Sequence, residues 1–236
     1  LLREPPFSTY TAGQIYFLFD WQTGLPIDRI KASALHQSST PKFVGRSRSV
    51  DLKDYDVLIL PDGGNGLPEL FKEEALGQIK DWVNEGGTLI ATEGAVSFFT
   101  KELSDFTEIS LKEYPKDSSL MARSLPYDQR TAYEGKKRIP GTALNAKIDI
   151  THPLAFGLKA ELYTLKFGTD ALVPNAGLET VGSYKKLNQL NVAGYASPDN
   201  LGHLAENTFA GVVSLGRGKV VYLIDNTQYR MFWMGP

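Results

Sequence analysis

The sequence predicts an α/β protein with three layers, α/β/α, built on a doubly wound sheet, and three stretches carry that expectation. "DYDVLILPDGG" (54–64) holds a continuous apolar run, Val57-Leu58-Ile59-Leu60, stopped by Pro61 and glycines. "LPELFKEEALGQIKDWVNEGG" (67–87) puts Leu76, Ile79 and Val83 on one helical face and stops at Gly86-Gly87. "TLIA" (88–91) is a second apolar run. Apolarity without alternation marks strands buried on both faces, as in a parallel sheet. Strand, helix, strand at this spacing is a crossover unit of the doubly wound kind.

The remaining elements follow in order. Residues 12–23, with Ile15, Phe17, Leu18 and Phe19, are read as a helix ending at the turn Gln22-Thr23-Gly24-Leu25-Pro26. Ile27 to Ile30 is read as a short strand. Polar and basic residues from Ser33 to Ser49 are read as a surface loop, with His36 solvated in it. Between about Lys101 and Arg138 regular patterning fades among charges, Pro115 and Pro126, which predicts an irregular insertion. "IPGTALNAKIDITHPLAFG" (139–157) recovers alternation at Ala146, Ile148 and Ile150. Further strands are expected at 163–167, 178–184 and 191–195. "TFAGVVSLGRGKVVYLID" closes the core as two strands around a turn at Gly216-Arg217-Gly218. Residues 1–236 are read as one domain.

Composition narrows the function. The chain has 236 residues, 42% of them apolar and 22% charged, within the range of ordinary globular proteins. Its 25 basic and 27 acidic residues set up no field that would draw nucleic acid or an anionic membrane. No cysteine occurs, which excludes disulfides, thiolate metal sites and a cysteine nucleophile within this sequence. No apolar run approaches the roughly 18 residues of a membrane span. The opening "LLREPP" and the closing "FWMGP" suggest a piece of a longer polypeptide.

"GGTLIATEGAVSFF" (86–99) has the layout of a strand-turn-helix at which α/β enzymes display a nucleophile. Thr92 and Glu93 stand at its tip. Their plainest roles are structural: Thr92 as helix N-cap, Glu93 as a negative charge beside the positive helix end, and Gly94 as a point of close packing. On that reading Glu93→Gln costs only about 0.3–1 kcal/mol. "DGGNG" (62–66), with Asp62, Gly63 and Gly64, lies between strand and helix but matches neither dinucleotide nor P-loop spacing, and its acid disfavours phosphate. It is read as a tight turn on the rim of the same cleft. No Gly-x-Ser-x-Gly is present, and Ser97 falls a turn too far into the helix.

Histidines offer little. "HLAE" (203–206) matches a His-x-x-Glu zinc pair, but no histidine follows it as a third ligand, so His203 is read as a loop histidine. His152, before Pro153, is either a general base facing the cleft or a hydrogen-bonded turn residue. No metal site is expected in this segment.

Several of these segments together resemble a known family. "DYDVLILPDGG", the helix and "WVNEGGTLIATEGA" resemble the class I glutamine amidotransferase-like fold, a flavodoxin-like sheet. With "PLAFG" and "GRGKVVYLIDNTQYRMFWMG", they resemble the amidotransferase-like domain that follows bacterial zinc carboxypeptidases of the carboxypeptidase A type, common in Bacteroidetes. The resemblance runs from about Ala12 to Gly235. It departs at both catalytic anchors, with Thr92-Glu93 at the elbow in place of cysteine and Asp225-Asn226-Thr227 in place of His-Pro-Glu. It therefore implies an accessory domain without catalysis, linked covalently to a peptidase domain that holds the zinc, with no cofactor of its own. A secreted or periplasmic setting and a homo-oligomer are compatible with it. Arg230, Phe232 and Trp233 are its candidate interface, and Asp62, Gly63, Gly64, Thr92, Glu93, His152 and Asp225 its candidate cleft. Two other readings stay open: a small-molecule or glycan site in that cleft, and a divergent hydrolase using Glu93.

Overall fold

The computed structural model describes residues 1–31, 35, 50–114 and 119–229. His36 with most of the polar loop, and Arg230, Phe232 and Trp233, lie outside the described residues. The strands are β1 (Leu2–Arg3), β2 (Ile30–Lys31), β3 (Val57–Leu60), β4 (Thr88–Thr92), β5 (Thr142–Ile148), β6 (Glu161–Lys166), β7 (Glu179–Tyr184), β8 (Asn191–Gly194), β9 (Thr208–Leu215) and β10 (Gly218–Leu223). The helices are α1 (Thr9–Tyr16), α2 (Leu67–Leu70), α3 (Glu73–Asn84), α4 (Gly94–Phe98), α5 (Lys101–Ser104), α6 (Ser119–Ser124), α7 (Tyr127–Lys136), α8 (Leu187–Leu190) and α9 (Pro198–Leu204).

The main sheet runs β3-β4-β10-β9-β7-β5-β6, with β8 on β5, and β1 pairs with β2 in a small parallel sheet. β3, β4 and β10 are mutually parallel, and β9, β7, β5 and β6 continue the sheet antiparallel. The result is a mixed α/β fold of the flavodoxin-like kind, with helices flanking a central sheet.

The three unalternating apolar runs are the three parallel strands, and their burial explains the pattern. Leu58, Leu60, Leu89, Ala91, Val220 and Tyr222 pack under α3 with Ile79 and Val83. Their alternate neighbours face the other way. Ile59 and Ile90 meet Ile15 of α1, while Val221 joins Val181, Phe209 and Val212. Water reaches neither face, so no polar residue interrupts the run.

The helix read at 12–23 starts earlier and ends differently. Ser8 caps α1 by accepting from the Thr11 amide at 3.3 Å, and the chain then widens into a π-helix, Phe17–Thr23, that ends at Gly24 with φ 67°. Of the strand expected at 27–30 only Ile30 is paired. The span 101–138 contains three helices, α5 to α7, and its first part is core. Phe106 packs edge-on against Phe99 at 5.0 Å, and the Thr107 hydroxyl lies 2.8 Å from the Tyr222 hydroxyl, which donates to Phe99 O at 2.7 Å. Alternation in β5 ends at Ile148, and Ile150 is exposed.

The turn between β9 and β10 consists of Gly216 and Arg217, closed by the Leu215–Gly218 pair. Gly216 has φ 60°, which suits glycine. Gly218 is required for space: a Cβ there would lie 2.1 Å from Val83 O and 2.2 Å from Gly87 O. These are backbone atoms at the end of α3 and cannot swing aside. Gly218→Ala should therefore destabilise by about 1–3 kcal/mol, the scale of an overpacked core. A lower urea midpoint at unchanged slope is the expected readout.

Candidate functional site

Three strand ends build the site. Thr92, the last residue of β4, is buried, and its hydroxyl donates to Leu60 O at 3.1 Å, joining the ends of β3 and β4. It does not cap the helix, because the cap position falls to the next residue. Glu93 occupies it with φ 49° and ψ −126°, and its side chain makes no capping bond. α4 spans only five residues, Gly94–Phe98, so there is little dipole for the carboxylate to meet. A non-glycine residue in such a conformation costs about 1–3 kcal/mol. The Glu93 amide donates to Leu223 O at 2.8 Å, holding the elbow against β10. Gly94 is the point of close approach expected, since a Cβ there would sit 2.3 Å from Asp62 Oδ1.

The Glu93 carboxyl turns towards the segment leaving β10. Its Oε1 accepts from Asn226 Nδ2 at 3.1 Å and from Gln228 Nε2 at 3.3 Å. The same Asn226 amide donates to Gln14 Oε1 on α1 at 2.9 Å, and Asn226 Oδ1 accepts from the Gln228 amide at 3.3 Å. Asp62, whose Oδ1 accepts from the Gly64 amide at 3.3 Å, supplies a neighbouring negative charge. Burial is the largest influence on Glu93. With the Asp62 charge, and a smaller push from Asp225, it outweighs the hydrogen bonds from Asn226 and Thr11 and raises the carboxyl from 4.5 to about 7.

Asp225 belongs to the interior below this cleft. Its Oδ1 accepts from the Tyr184 hydroxyl at 2.6 Å and lies 3.1 Å from Lys166 Nζ, while Oδ2 accepts from Thr164 at 2.8 Å. The ion pair is fully buried, and Lys166 also donates to Asp170 O at 2.5 Å. Burial, then the adjacent Asp225 charge, pushes the Tyr184 phenol well above its ordinary value.

His152 is not part of the cleft. Its Nδ1 accepts from the Leu154 amide at 3.1 Å and its Nε2 lies 3.4 Å from Glu179, the bonding of a turn residue. His203 is not a loop residue either. It is buried in α9, edge-on to Tyr114 at 4.8 Å. Ser97 donates to Gly94 O at 2.8 Å. Among the described residues no group of three or more His, Cys, Asp or Glu side chains is arranged to hold a metal ion. None of the described helices is long and apolar enough to cross a membrane.

Sequence reasoning thus located Asp62, Gly64, Glu93 and Gly94 together and missed the amides that complete the site. Gln228 follows β10 in "DNTQY", where a polar run after a buried strand was a usable signal. Gln14 had none, because a buried glutamine among apolar helix residues looks like surface. Beside these groups, on the sheet face of Val221 and Leu223, lies a cavity of about 770 Å³ reaching Asn226 and Gln228.

Comparison with solved structures matches this arrangement over nearly the whole chain. A ThuA-like protein from Parabacteroides merdae superposes with a TM-score of 0.56 at 13% identity, covering 94% of this chain and 76% of that one. A Thermoplasma acidophilum protein named for its likeness to GMP synthase gives 0.52 at 8% identity, over 95% and 81%. A cytoplasmic protein from Salmonella typhimurium gives 0.50 at 13% identity, over 94% and 76%. The likeness is one of fold. ThuA-like and amidotransferase-like proteins share this chain's architecture. No protein-family model and no curated protein matches the sequence.

Two outcomes follow from the site's electrostatics. Glu93 is an acid whose folded pKa, about 7, exceeds its ordinary value of 4.5. The folded state therefore holds the proton more tightly, and the stability this gives is full below about 4.5 and lost as pH rises through about 7. Glu93→Gln should flatten that decline and reverse the sign expected from a helix-dipole role. At pH 8 the variant should be more stable than the parent by up to about 3 kcal/mol, the worth of such a shift. Urea titrations across pH 4–8 measure this. Asp225→Asn strands the Lys166 ammonium in a fully buried position and should cost about 3–5 kcal/mol, with Asp225→Asn/Lys166→Met costing less.

Proposed function

We propose that the chain is a non-catalytic, amidotransferase-like accessory domain of a zinc metallocarboxypeptidase. The observation that carries the non-catalytic reading is the company Glu93 keeps at the elbow. Its carboxyl is bonded by Asn226 and Gln228 and influenced by Thr11, and neither amides nor a hydroxyl take up a proton near neutral pH. A carboxyl with its lone pairs engaged and no base beside it is a poor nucleophile. The peptidase part of the reading rests on the sequence resemblance of "GGTLIATEGA", "PLAFG" and "GRGKVVYLIDNTQYRMFWMG". On it, zinc and its ligands belong to a covalently attached peptidase domain in a secreted or periplasmic protein.

A second reading draws on one observation in the site. A buried carboxyl titrating at about 7 on a strained strand-to-helix turn has the properties of a general acid or base. On this alternative the chain is a divergent hydrolase using Glu93.

One experiment separates the two. In the full-length parent polypeptide, Glu93→Gln should leave peptidase turnover within about twofold, since an accessory residue contributes nothing to the transition state. Loss of about two orders of magnitude or more, with circular dichroism unchanged, would overturn the accessory reading in favour of the hydrolase.

A further inference from the structure

The cavity on the face of β10 is distinct from the cleft formed by Asp62, Thr92 and Glu93, and its chemistry differs. Its walls are Leu162 and Leu165 of β6, Phe209 of β9, and Val221 and Leu223 of β10. A volume of about 770 Å³ lies within the range of small-molecule sites. At its mouth Leu154 and Tyr163 are 52% and 57% exposed, so apolar surface continues from the interior to the rim. Large side chains left in water around a concave apolar site mark a place where a ligand or partner removes them from solvent.

Charge around the cavity is one-sided. Lys159 is the sole basic residue among the described lining residues, is exposed, and has no ion-pair partner among the described residues. The acid nearest it in sequence on the lining, Glu161, is engaged by Lys185. The inner end offers an anion nothing. The side-chain N–H groups of Asn226 and Gln228 are directed to Gln14 and Glu93, and Asn145, also on the lining, carries a buried Oδ1 with no hydrogen-bond partner among the described residues. An acceptor within and a cation at the rim orient a guest in one way, tail inward and anionic head outward.

We infer that this cavity binds a small apolar carboxylate, its aliphatic or aromatic body against Leu162, Phe209 and Leu223 and its carboxylate on the Lys159 ammonium. Such a molecule comes either from free acyl acids or from hydrophobic amino acids with a blocked amine. The site does not depend on the role given to Glu93, and its failure would leave that reading untouched.

The test is titration calorimetry on the 236-residue chain with decanoate, N-acetylphenylalanine and, as an uncharged control, decanol. One equivalent of at least one carboxylate should bind, and the tighter of the two identifies the source. Lys159→Glu, an exposed change that spares the core, should weaken that carboxylate by about fivefold or more, the scale of losing a rim ion pair and gaining a like charge. Decanol binding should not change. Leu162→Trp, which fills the cavity, should abolish binding of both while circular dichroism stays that of the parent. Failure of both carboxylates to bind at millimolar concentration would overturn the proposal. So would a Lys159→Glu variant that binds the carboxylate as well as the parent, or that weakens decanol equally.

Discussion

The buried Lys166–Asp225 ion pair governs the geometry around it. Asp225 stands just beyond β10, the strand that joins the parallel half of the sheet to the antiparallel half. Held by Lys166 and Tyr184 on one oxygen and by Thr164 on the other, it ties the exit of β10 to β6 and β7. Each partner satisfies a group that would otherwise be charged or polar in a dry interior, so the cluster is tolerated only while complete. The next residue, Asn226, inherits its position from that anchor, and the Asn226 amide in turn meets Gln14 and Glu93.

Strain at the elbow and burial of its carboxyl are two sides of one arrangement. Because the Glu93 amide continues the ladder to Leu223 while Gly94 packs against Asp62, the residue between them is turned into an unusual backbone conformation. Its side chain then lies where water is scarce and two other carboxylates contribute negative potential. Amide donors offset that environment only in part, which leaves a carboxyl that changes charge near neutrality. The same amides border the cavity on β10, so the two sites share a wall although their chemistry differs.

Local pattern made much of the scaffold readable. The runs at 57–60, 88–91 and 220–224 announced strands covered on both faces, and Gly216-Arg217 announced the hairpin, because burial and turn geometry constrain residue type directly. The start of the 101–138 span was misread, since Phe106 and Thr107 are core residues on irregular backbone and irregular backbone has no period. Thr92 and Glu93 were located correctly but given the wrong work. A threonine at a strand-helix junction looks like a cap in sequence, and only the carbonyl of Leu60, 32 residues away along the chain, shows that its hydroxyl is spent within the sheet.

What the sequence determined by itself was the class of fold, the three parallel strands, the absence of cysteine chemistry and the place where a strand turns into a helix with an acid at its tip. These depend on interactions between residues close together in the chain, or on composition. Tertiary structure decided the rest. The proton affinity of Glu93 is set by burial and by charges and amides from positions 11, 62, 225 and 226. Removal of His152 from the cleft follows from its bonds to Leu154 and Glu179. An electrostatic environment is a sum over groups brought together by folding, and their separations in space are not encoded in any local stretch of residues.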